Sequence, residues 1–140
     1  MGAASVIGVW MLALSVYDLR QRRLPNWLTL PGAALILLDA AVVGRGPSAG
    51  LGAIALGGLY LVVHLVNSQA MGGGDVKLAL GLGALTGTVG VDAWMLAALG
   101  APLLTALCAV PAVLVAGVRT VPHGPSMCLS SAVAVLMAAA

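Results

Sequence analysis

"MGGGDVKLAL", residues 71–80, sets an Asp and a Lys two positions apart, directly behind three glycines and ahead of a further apolar run. Ionisable side chains are scarce elsewhere. The 140-residue chain is 61% hydrophobic and 7% charged, with four Asp and Glu and six Lys and Arg. An ordinary soluble domain is about 25% charged. A soluble fold of this length could not hide so much apolar surface. The composition predicts an all-α, polytopic membrane helical bundle forming one domain over residues 1–140. Asp75 therefore needs a reason to stand where it does.

Composition excludes several functions. A net charge of +2 is too small to suggest nucleic acid as a partner. Cys108 and Cys128 lie in apolar segments with no CxxC pair, which argues against a thiolate zinc site or a disulfide framework. The first apolar run resembles a signal peptide in length. It lacks a basic segment before it, and its bases follow it, so it reads as a retained span.

A membrane-spanning helix needs about 20 apolar residues. Six segments qualify, some loosely: Ala3–Tyr17, Trp27–Val43, Ala49–Val66, Val76–Val89, Ala93–Val118 and Ser126–Ala140. Their connections alternate sides. Arg20, Arg22, Arg23, Lys77 and Arg119 fall on one side and Arg45 alone on the other. The positive-inside rule makes the richer side cytoplasmic and places both termini outside.

The same parity sorts the acids. Asp18 ends the first span and Asp75 begins the fourth, so both return to the cytoplasmic face. Asp92 lies on the far face, and Asp39 lies near the outer end of the second span. Only Asp18 and Asp75 can readily meet. Two carboxylates held close do not both ionise easily: one keeps a proton while the other stays charged. The charged one can draw a proton from water while the neutral one polarises a carbonyl. That is amide hydrolysis without a covalent intermediate. His64 and His123 have no evident nucleophile partner that would suggest a Ser–His–Asp or Cys–His alternative.

Gly72, Gly73 and Gly74 lack Cβ atoms, so backbone or substrate can approach closely. Asp75 is expected near a helix N-terminus, where the macrodipole favours the carboxylate. The plainer alternative makes the glycines a loop and Asp75 a helix cap.

Three stretches weigh against that alternative: "YDLRQRRLPNWL" around Asp18, "GGGDVKL" around Asp75 and "VPHGP" after Arg119, in this order and on one predicted face. Together they resemble the type IV prepilin peptidase family, the GxGD membrane aspartic proteases, in the short form associated with Tad/Flp pili. Asp18, Arg20, Leu24, Pro25 and Asn26 match the first family motif, and Gly72, Gly74, Asp75 and Lys77 match GxGDxK. The resemblance implies that Asp18 and Asp75 are the catalytic pair. It implies cleavage of prepilin-like precursors at the cytoplasmic membrane face, just before their hydrophobic helix. Long members carry an N-terminal cytoplasmic segment linked to N-methylation of the new terminus. This sequence has none, and methyltransferase activity is not expected. His123 stands where the family often has an aromatic, while Pro122, Gly124 and Pro125 fit.

The remaining polar residues have simpler readings. Arg20, Arg22 and Arg23 set topology and touch lipid phosphates, with guidance of a substrate leader as the alternative. Lys77 either helps keep Asp75 ionised or snorkels to the interface. His64 and Asn67 could share a face toward the bundle interior, as packing rather than catalysis. Asp92 reads as the cap of the fifth helix. Trp10, Trp27 and Trp94 read as interface anchors.

The expectation is an aspartic endopeptidase of the bacterial inner membrane, with its active site toward the cytoplasm and no metal or cofactor. Asp18 and Asp75 activate water. Gly72, Gly73, Gly74, Lys77, Arg20, Pro25, Asn26, Pro122, Gly124 and Pro125 shape the entry for an extended substrate segment. Membrane lipids and prepilin-like precursors are the expected partners, and the oligomeric state is left open. The alternatives are a related GxGD protease acting on archaeal-type preflagellins, or a small proton- or cation-coupled transporter.

Overall fold

The structure, a computed structural model, describes residues 2–68, 72–118 and 121–140, with the backbone alone for Ala3. It contains α1 (Gly2–Gln21), α2 (Asn26–Val42), α3 (Gly46–Val66), α4 (Gly73–Val89), α5 (Val91–Ala116) and α6 (Gly124–Ala139). No strand occurs among the described residues. Arg119, counted above toward orientation, lies outside the described residues, as does Met71.

The helices reproduce the six apolar segments but outrun two of them at the ends that matter. α1 continues past Tyr17 to Gln21 and carries Asp18 inside its last turn. α4 begins at Gly73, ahead of Val76, and carries Asp75 inside its first turn. Polar residues at a helix end are helical without being apolar, so hydropathy stops short of them.

α4 is the central helix and packs against α2, α3, α5 and α6. Its burial runs round the helix: Leu78, Ala79, Gly81, Leu82, Gly83, Ala84 and Thr86 are all buried. The one buried hydroxyl among them is satisfied, Thr86 Oγ1 donating to Leu82 O at 2.8 Å. The closest crossing is with α3. A Cβ on Gly52 would collide with the Gly83 carbonyl, and a Cβ on Gly87 would lie 2.6 Å from the Ser48 carbonyl. Small residues on both faces let these backbones touch, as in tightly packed membrane helices.

α4 passes into α5 through Gly90 alone, whose φ of 153° suits glycine. Gly90 also holds the cap position of α5, so Asp92 sits within the first turn of α5 and is not its cap. Two tryptophans also differ from expectation. Trp10 donates Nε1–H to Leu28 O at 2.8 Å, and Trp94 donates to Gly52 O at 3.1 Å. Both are half-buried ties within the bundle. Trp27 is exposed and meets Tyr17 edge-on at 5.8 Å.

The outside of the bundle is apolar. Leu12, Leu35, Leu51, Ile54, Leu99, Leu114 and Val115 are among many large hydrophobic side chains exposed on it. α3 and α5 are long and apolar enough to cross a membrane, and α2 and α6 are shorter apolar helices. α4 is walled in by four neighbours and has little exposed surface.

Candidate active site

A cavity of about 600 Å³ opens at one end of the bundle. It is lined by Asp18 and residues 21–26 from the end of α1 and the connection to α2, and by residues 72–75 and 77 from the start of α4. Arg45 lies at the other end, its Nη1 3.4 Å from Thr88 O near the last turn of α4. The parity deduced from the basic residues is thus the parity of the fold for Arg22, Arg23 and Lys77 against Arg45.

The α1–α2 connection is built from its motif residues. Arg22 takes a left-handed φ of 52°, and its N–H donates to Asp18 O at 2.9 Å. For a residue with a Cβ that conformation costs about 1–2 kcal/mol. It turns the chain sharply off α1, and Leu24 then tucks into the core. Pro25 is extended and precedes α2, with its carbonyl accepting from the N–H groups of Leu28 and Thr29.

α4 starts behind Gly72, which is extended and accepts the Asp75 N–H at 3.1 Å. Gly72, and not Asp75, occupies the cap position, and the Asp75 carboxyl reaches back to the Gly72 backbone while also facing the cavity. Gly74 packs on the first motif: a Cβ there would lie 3.0 Å from Leu24 Cβ and 3.4 Å from Leu24 N. Its missing side chain lets the two motif loops touch. Gly73 faces open space. Lys77 Nζ donates to Asn26 Oδ1.

Gly124 supplies a contact that no local signal announces. Its N–H donates to Asp18 Oδ2 at 2.8 Å, and a Cβ on it would lie 2.6 Å from the same oxygen. It therefore lies against the first acid itself and not on the cavity lining. Pro122 and Pro125, flanking it, are half-buried and do not line the cavity, and neither does Arg20, exposed on the last turn of α1. Gln21, Arg22, Arg23 and Leu24 line it in addition to the expected residues. Leu24 belongs to the first motif, whereas Gln21 carries no sequence signal. His64 is half-buried and Asn67 exposed at the end of α3, and neither lines the cavity.

Both acids stand outside the apolar segments, beyond Tyr17 and ahead of Val76. Asp18 is buried, and burial raises its carboxyl above the ordinary value, opposed by the Gly124 N–H and by Arg22. Asp75 is raised from 3.8 to about 6, by burial first and then by the charge on Asp18, with the Gly72 backbone opposing. That rise corresponds to roughly 3 kcal/mol against ionisation. The helix N-terminus favours the charged form by about 0.3–1 kcal/mol, so burial and the neighbouring charge prevail. The arrangement raises both carboxyls above their ordinary range and sets them on one cavity of about 600 Å³. Among the described residues no group of three or more His, Cys, Asp or Glu side chains could hold a metal ion.

No curated protein and no solved structure matches the chain significantly. The family comparison is decisive over nearly the whole length. A model of the type IV leader peptidase family matches residues 5–139, and the chain belongs to that family.

Proposed function

We propose that this leader peptidase is an aspartic endopeptidase that removes the leader of prepilin-like precursors, with Asp18 and Asp75 as its catalytic pair. The observation that carries the reading is the shared cavity: acids from the end of α1 and the start of α4 line it together, and the charge of one raises the other. Asp18, facing the Gly124 N–H and Arg22, is the carboxylate that takes a proton from water. Asp75, raised to about 6, acts in its protonated form and donates a hydrogen bond to the scissile carbonyl. Water oxygen bonds to the carbonyl carbon, the C–N bond then breaks, and the proton held by Asp18 passes to the leaving amine. No covalent enzyme intermediate is required.

The apolar outer surface supports a single membrane-embedded domain of six spans, of which α3 and α5 are long and apolar and α2 and α6 are shorter apolar helices. The side carrying Arg22, Arg23 and Lys77 is the cytoplasmic face of a bacterial inner membrane by the positive-inside rule. A substrate helix must unwind locally to enter, because its carbonyls are otherwise engaged in i→i−4 bonds. The transporter alternative needs a polar path beyond the acids. Leu78, Ala79 and Leu82, immediately beyond Asp75 on α4, are fully buried and apolar, which weighs against it.

The test is cleavage of a prepilin peptide by purified enzyme in detergent or liposomes. Asp18→Asn and Asp75→Asn should each lower the rate by at least about a hundredfold. Asp39→Asn and Asp92→Asn, both exposed and outside the cavity, should keep most of it. Normal cleavage by Asp18→Asn would end the two-carboxylate reading.

A further inference from the structure

We propose that His123 is a positioning residue for Asp18: held between Tyr60 and Thr105, it secures the turn from which the Gly124 N–H reaches the Asp18 carboxylate. The inference rests on the two-carboxylate reading above.

The ring is gripped at both nitrogens by two different helices. Nε2 lies 3.0 Å from Tyr60 Oη on α3, and Nδ1 lies 2.5 Å from Thr105 Oγ1 on α5. The tautomer follows from counting protons. A hydroxyl has one hydrogen to donate. That of Thr105 is directed to Ala101 O at 3.0 Å. Thr105 must therefore accept, and Nδ1 carries the hydrogen. Burial lowers the His123 pKa and favours the neutral ring, so Nε2 accepts from the Tyr60 hydroxyl. Every donor and acceptor of the imidazole is then used, and the ring has one orientation.

That orientation is passed on through one peptide unit. His123 is the residue before α6, and its carbonyl accepts the Met127 N–H at 3.0 Å. The next N–H, on Gly124, belongs to the first turn of α6 and has no partner within the helix. It is the one that meets Asp18 Oδ2 at 2.8 Å. There is little slack, since a Cβ on Gly124 would already crowd this oxygen. Rotation of the 123–124 peptide would lose the bond.

The Gly124 N–H favours the charged form of Asp18. Other titratable groups acting in this cluster are Arg22 at the end of α1, Asp75 on α4, Cys128 on α6 and Tyr60 on α3. Thr105 is not among them, so Thr105→Val tests the clamp without removing any of these groups. Loss of the N–H raises the Asp18 pKa, and the carboxylate is then lost at higher pH as the solution is acidified.

Full-length enzyme in detergent would be compared as wild type, His123→Ala, Tyr60→Phe, Thr105→Val, Thr105→Ser and Asp18→Asn, at equal folded concentration. His123→Ala, Tyr60→Phe and Thr105→Val should each lower kcat about tenfold to a hundredfold, with KM little changed. Each should also move the acid limb of the pH–rate profile to higher pH. Thr105→Ser keeps the hydroxyl and should restore both rate and limb. If Asp18→Asn cleaves normally, the two-carboxylate reading falls and this inference with it. If Asp18→Asn is inactive while the three clamp variants retain wild-type kcat and acid limb, the clamp alone is overturned. A smaller folded fraction with an unmoved acid limb overturns it equally.

Discussion

Lys77 Nζ donates a hydrogen bond to Asn26 Oδ1, joining α4 just past its first turn to the first residue of α2. The bond links the motif around the second acid to the motif around the first. The ammonium meets an amide of the other motif, and the charge acting on Asp75 is that of Asp18.

Lys77→Ala and Asn26→Ala should therefore have similar effects, a severalfold loss of kcat/KM, and the double variant should be little worse than either. A double-mutant cycle reads the coupling, expected at about 1 kcal/mol for a bond open to solvent. Additive losses would mean that the two side chains act separately.

Gly74 and Gly81 should differ in what a side chain does to them. A Cβ on Gly74 meets Leu24 of the other motif loop, whereas one on Gly81 meets Trp10 Cη2 at 3.1 Å and Ala33 Cβ at 3.4 Å. Gly74→Val should cost at least about tenfold in activity per folded enzyme by prising the motif loops apart. Gly81→Val should act through stability, by about 1–3 kcal/mol, with activity per folded molecule largely kept. Thermal unfolding beside the cleavage assay separates the two, and the reverse pattern would show that Gly74 is a packing glycine only.

Asp75 gives a stability prediction with a definite sign. Its folded pKa, about 6, lies above the ordinary 3.8. The folded state holds this proton more tightly, so the contribution is fully present below about pH 4 and is lost as pH rises through about 6. Asp75→Asn should stabilise the protein at pH 8, by on the order of 2 kcal/mol, and change little at pH 3.5. Thermal melts at the two pH values test it. In Asp18→Asn, where the neighbouring charge is gone, Asp75 should titrate at lower pH than in the wild type.

Single cysteines test orientation, in a background without Cys108 and Cys128. Positions 22 and 77 line the cavity, and Arg45 lies at the other end of α4. An impermeant thiol reagent added outside cells should label position 45 and spare 22 and 77. Labelling of 77 but not 45 would invert the proposed topology.

Much of the fold was legible because apolar runs and glycine breaks mark helices directly. Trp27–Val43, read as a span, is α2 at Asn26–Val42, and Val76–Val89 is all but the first turn of α4. The pairing of Asp18 with Asp75 followed from counting crossings. What stayed hidden were contacts between distant segments. Gly124 and Asp18 are 106 positions apart, and nothing local marks a glycine N–H as a carboxylate donor. Trp10 and Trp94 looked like interface residues because position along a helix does not reveal which face is turned inward. Asp92 looked like a cap because the sequence does not show that Gly90 alone makes the turn.

The two halves of the cavity are unequally braced. The helix bearing Asp75 has neighbours on four sides and interlocks with α3 backbone to backbone. The helix bearing Asp18 leans chiefly on α6, with Trp10 bridging it to its other neighbours. Compliance in this bundle is therefore concentrated in α1. A peptide wedged into the cavity is expected to displace α1 before α4. The Gly124–Asp18 bond lies on the α1–α6 contact, the firmest that α1 makes, and ties the first acid to it.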